Sequence, residues 1–258
     1  MLHHENRGSL RKYRAEFHVH TVVSPCALVE MIPPLIIQEA ASKNINILAI
    51  TDHNSMLNVP AVMKAAEGTE ITVLPGMELH TREEVHILCI FETLQQAAEF
   101  QTIVDLNYSP GTNDTDIFGP QYVVDYTGKF VRSEEHILSQ ATRLSIDDAW
   151  KHVHQLGGLF IPSHIQRQVY GILPTLGFLP ENIRFDGLEI SRNISFEMAV
   201  RENPSIQNYP FIRNGDAHDL QAIAGLNIIT ALKPTLHEIK LALQNIDGRS
   251  IETPHEMA

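Results

Sequence analysis

Short apolar runs that end in polar, chemistry-bearing residues recur along this chain. Residues 46–51 (Asn-Ile-Leu-Ala-Ile-Thr) are almost continuously apolar, as in a parallel strand covered on both faces. They lead into Asp52-His53-Asn54. Residues 71–74 repeat the pattern and pass through Pro75-Gly76 to Met77-Glu78-Leu79-His80. Over residues 84–91 the positions alternate, with His86, Leu88 and Ile90 on one face and Val85, Ile87, Cys89 and Phe91 on the other. Further strands are expected at 159–161 before Ser163-His164, at 185–190 before Ser191-Arg192-Asn193, at 210–213 before Asn214-Gly215-Asp216-Ala217-His218, and at 227–232. The first strand, within residues 11–23, carries His18 and His20. Two residues apart, their side chains leave one face, with Phe17 and Val19 pointing the other way.

Helices are expected between these strands. Pro33-Pro34 suits the first turn of one. Thr93-x-x-Gln96 and Ser145-x-x-Asp148 have the spacing of N-terminal caps. The alternation predicts parallel strands closed into a (β/α) barrel, or an open α/β sheet. Residues 107–131 break the rhythm and read as a hairpin insert, with a lid as one use.

Composition narrows the classes. A chain of 258 residues, 43% hydrophobic, suits one domain over 1–258. Its formal charge of −12 argues against long nucleic acid or an anionic membrane, which call for a basic footprint. The absence of any apolar run near ~20 residues or of a signal-peptide core makes the cytoplasm the expected compartment. Cys26 and Cys89 are too few for a disulfide framework. Negative charge would also repel a phosphate substrate, unless bound divalent cations reverse the field locally.

In a (β/α) barrel the C-terminal strand ends converge on one mouth. His18, His20, His53, Glu78, His86, His164, Asp216 and His218 are therefore expected to be neighbours in space. Such a mixed histidine and carboxylate set suits zinc, manganese or iron. Asp52, adjacent to His53, is read as a partner behind the ligands or a hydrogen bonder within the packed region, rather than a ligand. His80 shares the parity of Glu78 and could reach the edge of the site, but is read first as an exposed loop residue.

The set His18-x-His20, Thr51-Asp52-His53-Asn54, Gly76-x-Glu78, Val85-His86, Ser163-His164 and Gly215-Asp216-x-His218 resembles the PHP (polymerase and histidinol phosphatase) family. The resemblance implies a distorted seven-stranded (β/α) barrel, two or three divalent ions and a phosphoester substrate. It implies one ion held by His18, His20, Glu78 and Asp216. A second would be held by Glu78, His86 and His164, and a third by His53, His218 and the residue six after His20. That residue, often His or Asp in the family, is Cys26 here; it is either a thiolate ligand favouring zinc or a small turn residue. Glu78, Asp216 and His218 are the expected catalytic set. Arg167 and Arg192 are the expected phosphate-binding pair, with surface ion pairing as their other reading. The implied reaction is hydrolysis of a small phosphoester by a metal-activated water. An amidohydrolase-like activity and a non-catalytic metal-binding scaffold are the alternatives.

Overall fold

The computed structural model describes residues 9–254. Its strands are β1 (Arg11–Val19), β2 (Ile47–Ile50), β3 (Thr72–His80), β4 (His86–Ile90), β5 (Tyr122–Val124), β6 (Phe130–Ser133), β7 (Leu159–Pro162), β8 (Leu188–Ile190), β9 (Phe211–Arg213), β10 (Asn227–Ala231) and β11 (Ser250–Glu252). The α-helices are α1 (Pro33–Ser42), α2 (Val59–Ala65), α3 (Leu94–Asp105), α4 (Thr115–Phe118), α5 (Ile146–Gln155), α6 (Ile172–Leu176), α7 (Phe196–Glu202) and α8 (Leu236–Leu243). Both halves of the Thr93/Gln96 capping box form, and the Ser145 side chain accepts from the Asp148 N–H. None of the described helices is long and apolar enough to cross a membrane.

One sheet, in the order β11-β10-β1-β2-β3-β4-β7, curls into a half barrel, and the pair β8–β9 lies between its two flanks. Backbone bonds from Asp186 N–H to Phe160 O (3.2 Å) and from Ile165 N–H to Glu189 O (3.0 Å) join β7 to β8. Bonds from Ala217 N–H to His18 O and from His20 N–H to Ala217 O (both 3.0 Å) join the end of β9 to β1. β1, β2, β3, β4, β7, β8 and β9 thus form the expected distorted seven-stranded barrel, while β10 and β11 extend the sheet beyond β1.

The barrel is not parallel throughout. β4 runs antiparallel to both β3 and β7. The short link between β3 and β4 leaves no room for the crossover of a dozen or more residues that a parallel pair needs. β3 also continues through Pro75, where pairing to β2 ends and pairing to β4 begins one residue later. The missing proline N–H falls at that handover.

Side-chain alternation sorts the barrel core into two large clusters, and a small third one, Val23, Val123 and Leu138, lies under the β5 strand. Ala15, Phe17, Ile47, Ala49, Leu74, Leu88, Ile90 and Ile161 pack together with Leu236, Ile239 and Leu243 of α8. Val85, Ile87, Cys89 and Phe91 belong to the other cluster, with helix residues Ala97, Phe100 and Val104. The parity read for residues 84–91 holds, and Cys89 packs against the helices. In β1 it fails: Phe17 joins the first cluster and Val19 the second. A register shift between Glu16 and Val19 is responsible, because a bulge inserts a residue and resets the alternation. Nothing in the apolar pattern signals it.

The hairpin β5–β6 sits beside the barrel mouth. Tyr122 N–H donates to Val22 O (3.1 Å), and the Asn58 side chain bonds both Tyr122 O and Val124 N–H (3.0 Å each).

Candidate metal centre

Five strand ends deliver the expected residues to one mouth. His18 lies in β1, His20 and His53 just beyond β1 and β2, Glu78 near the end of β3, and His164, Asp216 and His218 beyond β7 and β9. His86 arrives differently, at the start of β4, and reaches the mouth because that strand is reversed. The backbone is forced at two of these places: His164 has φ of 30° and Asp216 of 48°, left-handed values that non-glycine residues rarely adopt. Gly215 has no alternative, because a Cβ there would lie 1.8 Å from Ala222 O.

Glu78 is the hub. Its Oε1 lies 3.2 Å from His18 Nε2, 3.1 Å from His86 Nδ1 and 3.2 Å from His164 Nε2. Its Oε2 lies 3.1 Å from His53 Nδ1 and 3.4 Å from His20 Nε2. Asp216 Oδ1 adds contacts to His18 Nε2 (3.2 Å), His20 Nε2 (3.4 Å) and His218 Nδ1 (3.5 Å). Despite these distances, His18 Nε2, His20 Nε2, His53 Nδ1, His86 Nδ1 and Asp216 Oδ1 are buried and have no hydrogen-bond partner among the described residues. Ring nitrogens and carboxylate oxygens that crowd together without pairing are directed at shared points between them, which is what a cation requires of its ligands. Among the described residues three such groupings occur: His18/His20/Glu78/Asp216, His53/Glu78/His86 and His20/His53/His218. The donor set fits divalent ions.

The outer nitrogens are held by the protein. Both oxygens of Glu189 accept, from His164 N–H and the Asn214 amide (2.8 Å each), so the contacts at 3.0–3.1 Å to His18 Nδ1 place the proton on that nitrogen. Ser24 Oγ donates to Asp52 Oδ1 at 2.7 Å, so His20 Nδ1, 3.1 Å away, donates to Ser24. Each arrangement leaves Nε2 as the lone pair facing the centre, the role of outer partners around metal-ligating histidines. Asp52 also accepts from Thr21 N–H and Thr21 Oγ1, fixing the turn after β1.

Electrostatics follow burial and neighbours. Burial opposes ionisation of Glu78, but the charges of His86 and His18 outweigh it and hold its carboxyl well below the usual range. Asp216 is likewise held well below, His18 being the largest opposing influence to burial. Burial, reinforced by His218 and His53, keeps His20 well below its ordinary value. Burial pushes the Cys26 thiol up, and hydrogen bonding and charge from His218 and His53 more than reverse this, bringing it to about 6.

Several expected assignments change in detail. The grouping around His53 and His218 contains His20; the partly exposed Cys26 stands beside His218 and His53. His53, rather than His164, groups with Glu78 and His86, while His164 Nε2 makes a hydrogen bond to Glu78. Arg167 bonds Asp216 Oδ2 at 3.0 Å, and Arg167 and Arg192 line one cavity with His164 and Asp216. His80 is not an exposed loop residue: it is buried in β3, bonded to Glu84 (2.9 Å) and Ser139 O (3.2 Å), with its ring edge-on to His86. Tyr170 stacks on His86 at 4.3 Å. Glu189 escaped the sequence reading, although an acid between Leu188 and Ile190 in a buried strand is the signal that marks it.

The PHP domain model matches residues 16–166. The uncharacterized protein YqxK of Bacillus subtilis (strain 168) is 23% identical across 94% of this chain and 64% of its own length, so the chain spans less than two thirds of that relative. A lesion-specific endonuclease from Pyrococcus furiosus shares the fold with a TM-score of 0.72 at 20% identity, over 93% of this chain and 58% of that one. A candidate metal-dependent phosphoesterase from Bifidobacterium adolescentis gives 0.52 at 15% identity, over 80% of this chain and 87% of that one. With a family match over more than half its length, spanning the segments that carry His18, His20, His53, Glu78, His86 and His164, the chain belongs to the PHP domain family.

Proposed function

We propose that this chain is a metal-dependent phosphoester hydrolase acting on a small substrate such as a sugar, amino-alcohol or nucleotide phosphate. The observation that carries the reading is Glu78, buried with five imidazole nitrogens within 3.4 Å of its two oxygens, four of them outside hydrogen-bond geometry. His18, His20, His53, His86, His164, Asp216 and His218 would complete the shells of two or three ions (zinc, manganese or iron), Glu78 bridging, with Cys26 a further thiolate donor beside His53 and His218. Bound there, the ions would acidify a water and neutralise phosphate oxygens. Glu189 and Ser24 keep the histidine lone pairs turned inward, and Arg167 and Arg192 orient the phosphate from the adjoining cavity. We read the chain as one catalytic unit carrying the β5–β6 insert, working in the cytoplasm where its two thiols stay reduced.

The test is metal analysis of purified protein followed by a phosphate-release screen over small phosphoesters, with chelator and with added manganese. Less than one divalent ion per chain, or release insensitive to chelator, would overturn the reading. A second reading, cleavage of a nucleic-acid backbone, is favoured by the fold shared with the lesion-specific endonuclease. The formal charge of −12 weighs against it. Including a duplex with an abasic site in the same screen separates the two.

A further inference from the structure

His218 is held differently from the other histidines of the centre. It lies on a turn beyond β9, and its side chain is 28% exposed, against 10% or less for His18, His20, His53, His86 and His164. Its Nδ1 donates to Asp216 O (2.8 Å), its carbonyl accepts from Leu28 N–H (2.8 Å), and its ring stacks on His20 at 4.2 Å. Asp219 then caps a 3-10 turn, Leu220–Ala222, by accepting from Ala222 N–H at 2.9 Å. The far end of that turn closes on a lysine. Lys43, at the C-terminus of α1, donates from its ammonium to Leu220 O (3.4 Å), Gln221 O (3.0 Å) and Ile223 O (2.6 Å), with Glu39 Oε1 at 2.9 Å. Three main-chain carbonyls that converge on one point repel one another unless a cation lies between them, as in the carbonyl rings that hold potassium. An ammonium on a flexible stem supplies that charge and one donor for each oxygen.

Asp216 has other anchors. Glu16 accepts from the N–H groups of Gly215, Ala224 and Gly225, Ala217 is bonded on both sides into the end of β1, and Arg167 holds Asp216 Oδ2. Between those anchors, among the described residues, the backbone of residues 218–223 is bonded from outside the turn by Leu28 N–H and the Lys43 ammonium. We propose that Lys43 is a positioning residue: its ammonium gathers the carbonyls of the turn and so sets His218 for the ion that His20, His53 and His218 would hold. Without it the carbonyls swing apart, the turn loosens, and His218 leaves the grouping. His18, Glu78 and Asp216 keep their places, so one ion is lost rather than all. The inference rests on the metal-centre reading for the ion, and on Lys43 for the turn.

Two measurements separate these. In the first, zinc bound at saturation is compared in the parent, in Lys43→Met, which keeps an apolar stem, and in Lys43→Ala, with circular dichroism confirming that each is folded. Each variant binds one zinc fewer per chain than the parent. Methylammonium, which fits where the end of the lysine was, restores that zinc to Lys43→Ala; tetramethylammonium, with no N–H to donate, does not. Parent zinc content in Lys43→Met, a parallel loss of every ion, or an equal effect of the two cations overturns the inference. In the second, amide hydrogen exchange is followed in EDTA, so that metal does not contribute. Exchange at Ala222 and Ile223 speeds about tenfold in Lys43→Met while the amides of β3 keep their rates, as expected of a local opening. Unchanged exchange at Ala222 and Ile223 overturns the inference. A parent that binds no zinc refutes the metal-centre reading, and faster exchange in Lys43→Met would then still establish the lysine as the clamp of the turn.

Discussion

Glu189→Gln isolates what the layer behind the metal ligands contributes. The Glu189 carboxylate is buried; Oε1 accepts from the Asn214 amide and Oε2 from His164 N–H, and both face His18 Nδ1. In the amide variant one oxygen becomes an NH2 and meets a donor whichever way it turns. Asn214 cannot rotate to relieve this, because its Oδ1 already accepts from Phe17 N–H and the Asn227 amide at 2.9 Å. One buried donor is orphaned, at a cost of about 1–3 kcal/mol. At roughly 2–4 °C per kcal/mol for a chain of this size, about 2 kcal/mol lowers the unfolding midpoint by about 4–8 °C, measured in EDTA so that metal does not contribute. His18 also loses the partner that holds its proton on Nδ1, so zinc affinity, read by competition with a chromophoric chelator, is expected to weaken about 10–100-fold. A folded variant with the stability loss but zinc affinity within twofold of the parent would refute the positioning role and leave Glu189 a purely structural residue.

Burial pushes Glu16 up to about 7 from 4.5 even though it accepts from the N–H groups of Gly215, Ala224 and Gly225. The folded chain therefore keeps a proton that the unfolded chain loses, and the stabilisation, full below about pH 4.5, is lost as pH rises through 7, by about 3 kcal/mol at most. Urea unfolding should show the stability of the parent falling relative to Glu16→Gln between pH 5 and 8, and a flat difference contradicts the shift. Gly215→Ala forces a Cβ onto Ala222 O, so the Asp216 loop must move; zinc bound at saturation should drop, and unchanged stoichiometry would show that the loop yields without cost. Cys26→Ala should remove one zinc per chain while Cys26→Asp recovers a site for manganese, both read by metal analysis; equal zinc content in all three proteins would make Cys26 a turn residue only.

The mouth was legible because its residues end recognisable apolar runs, so strand positions and parity alone bring His53, Glu78, His164, Asp216 and His218 together. What periodicity does not carry is direction. His86 was found by its alternation with Leu88 and Ile90, but the reversal that takes it to the mouth is visible only in the shortness of the link from β3. The bulge in β1 is invisible for a related reason: alternation assumes an unbroken register, and Phe17 and Val19 fall on opposite sides once it breaks. His80 reads as exposed because nothing in the sequence shows that β3 continues past Pro75 or that Glu84, Ser139 and Tyr170 close over it. Buried acids are the hardest case, since Glu16 and Glu189 look in sequence like any surface carboxylate until their partners, from distant segments, are in place.

Those acids also separate scaffold from ligand. Glu16, Asp52, Glu78 and Glu189 are all buried at this end of the barrel, and Asp216 is partly so. Burying an acceptor is tolerable only where donors or a cation meet it. Glu16 is met by three backbone N–H groups, Asp52 by Thr21 and Ser24, and Glu189 by His18, Asn214 and the His164 backbone. These three are satisfied from within the chain. Glu78 receives one hydrogen bond, from His164, and otherwise faces nitrogens that do not point at it; Asp216 has Arg167 on one oxygen and an unpaired, buried Oδ1 on the other. The same two residues stand in the groupings that could hold a cation, and none of the three satisfied acids does. Hydrogen-bond satisfaction therefore divides the carboxylates as ligand geometry does, and predicts that Asp52→Asn and Glu16→Gln act mainly on stability whereas Glu78→Gln acts mainly on metal content. Metal analysis beside urea unfolding tests that division; metal loss in Asp52→Asn as complete as in Glu78→Gln would break it.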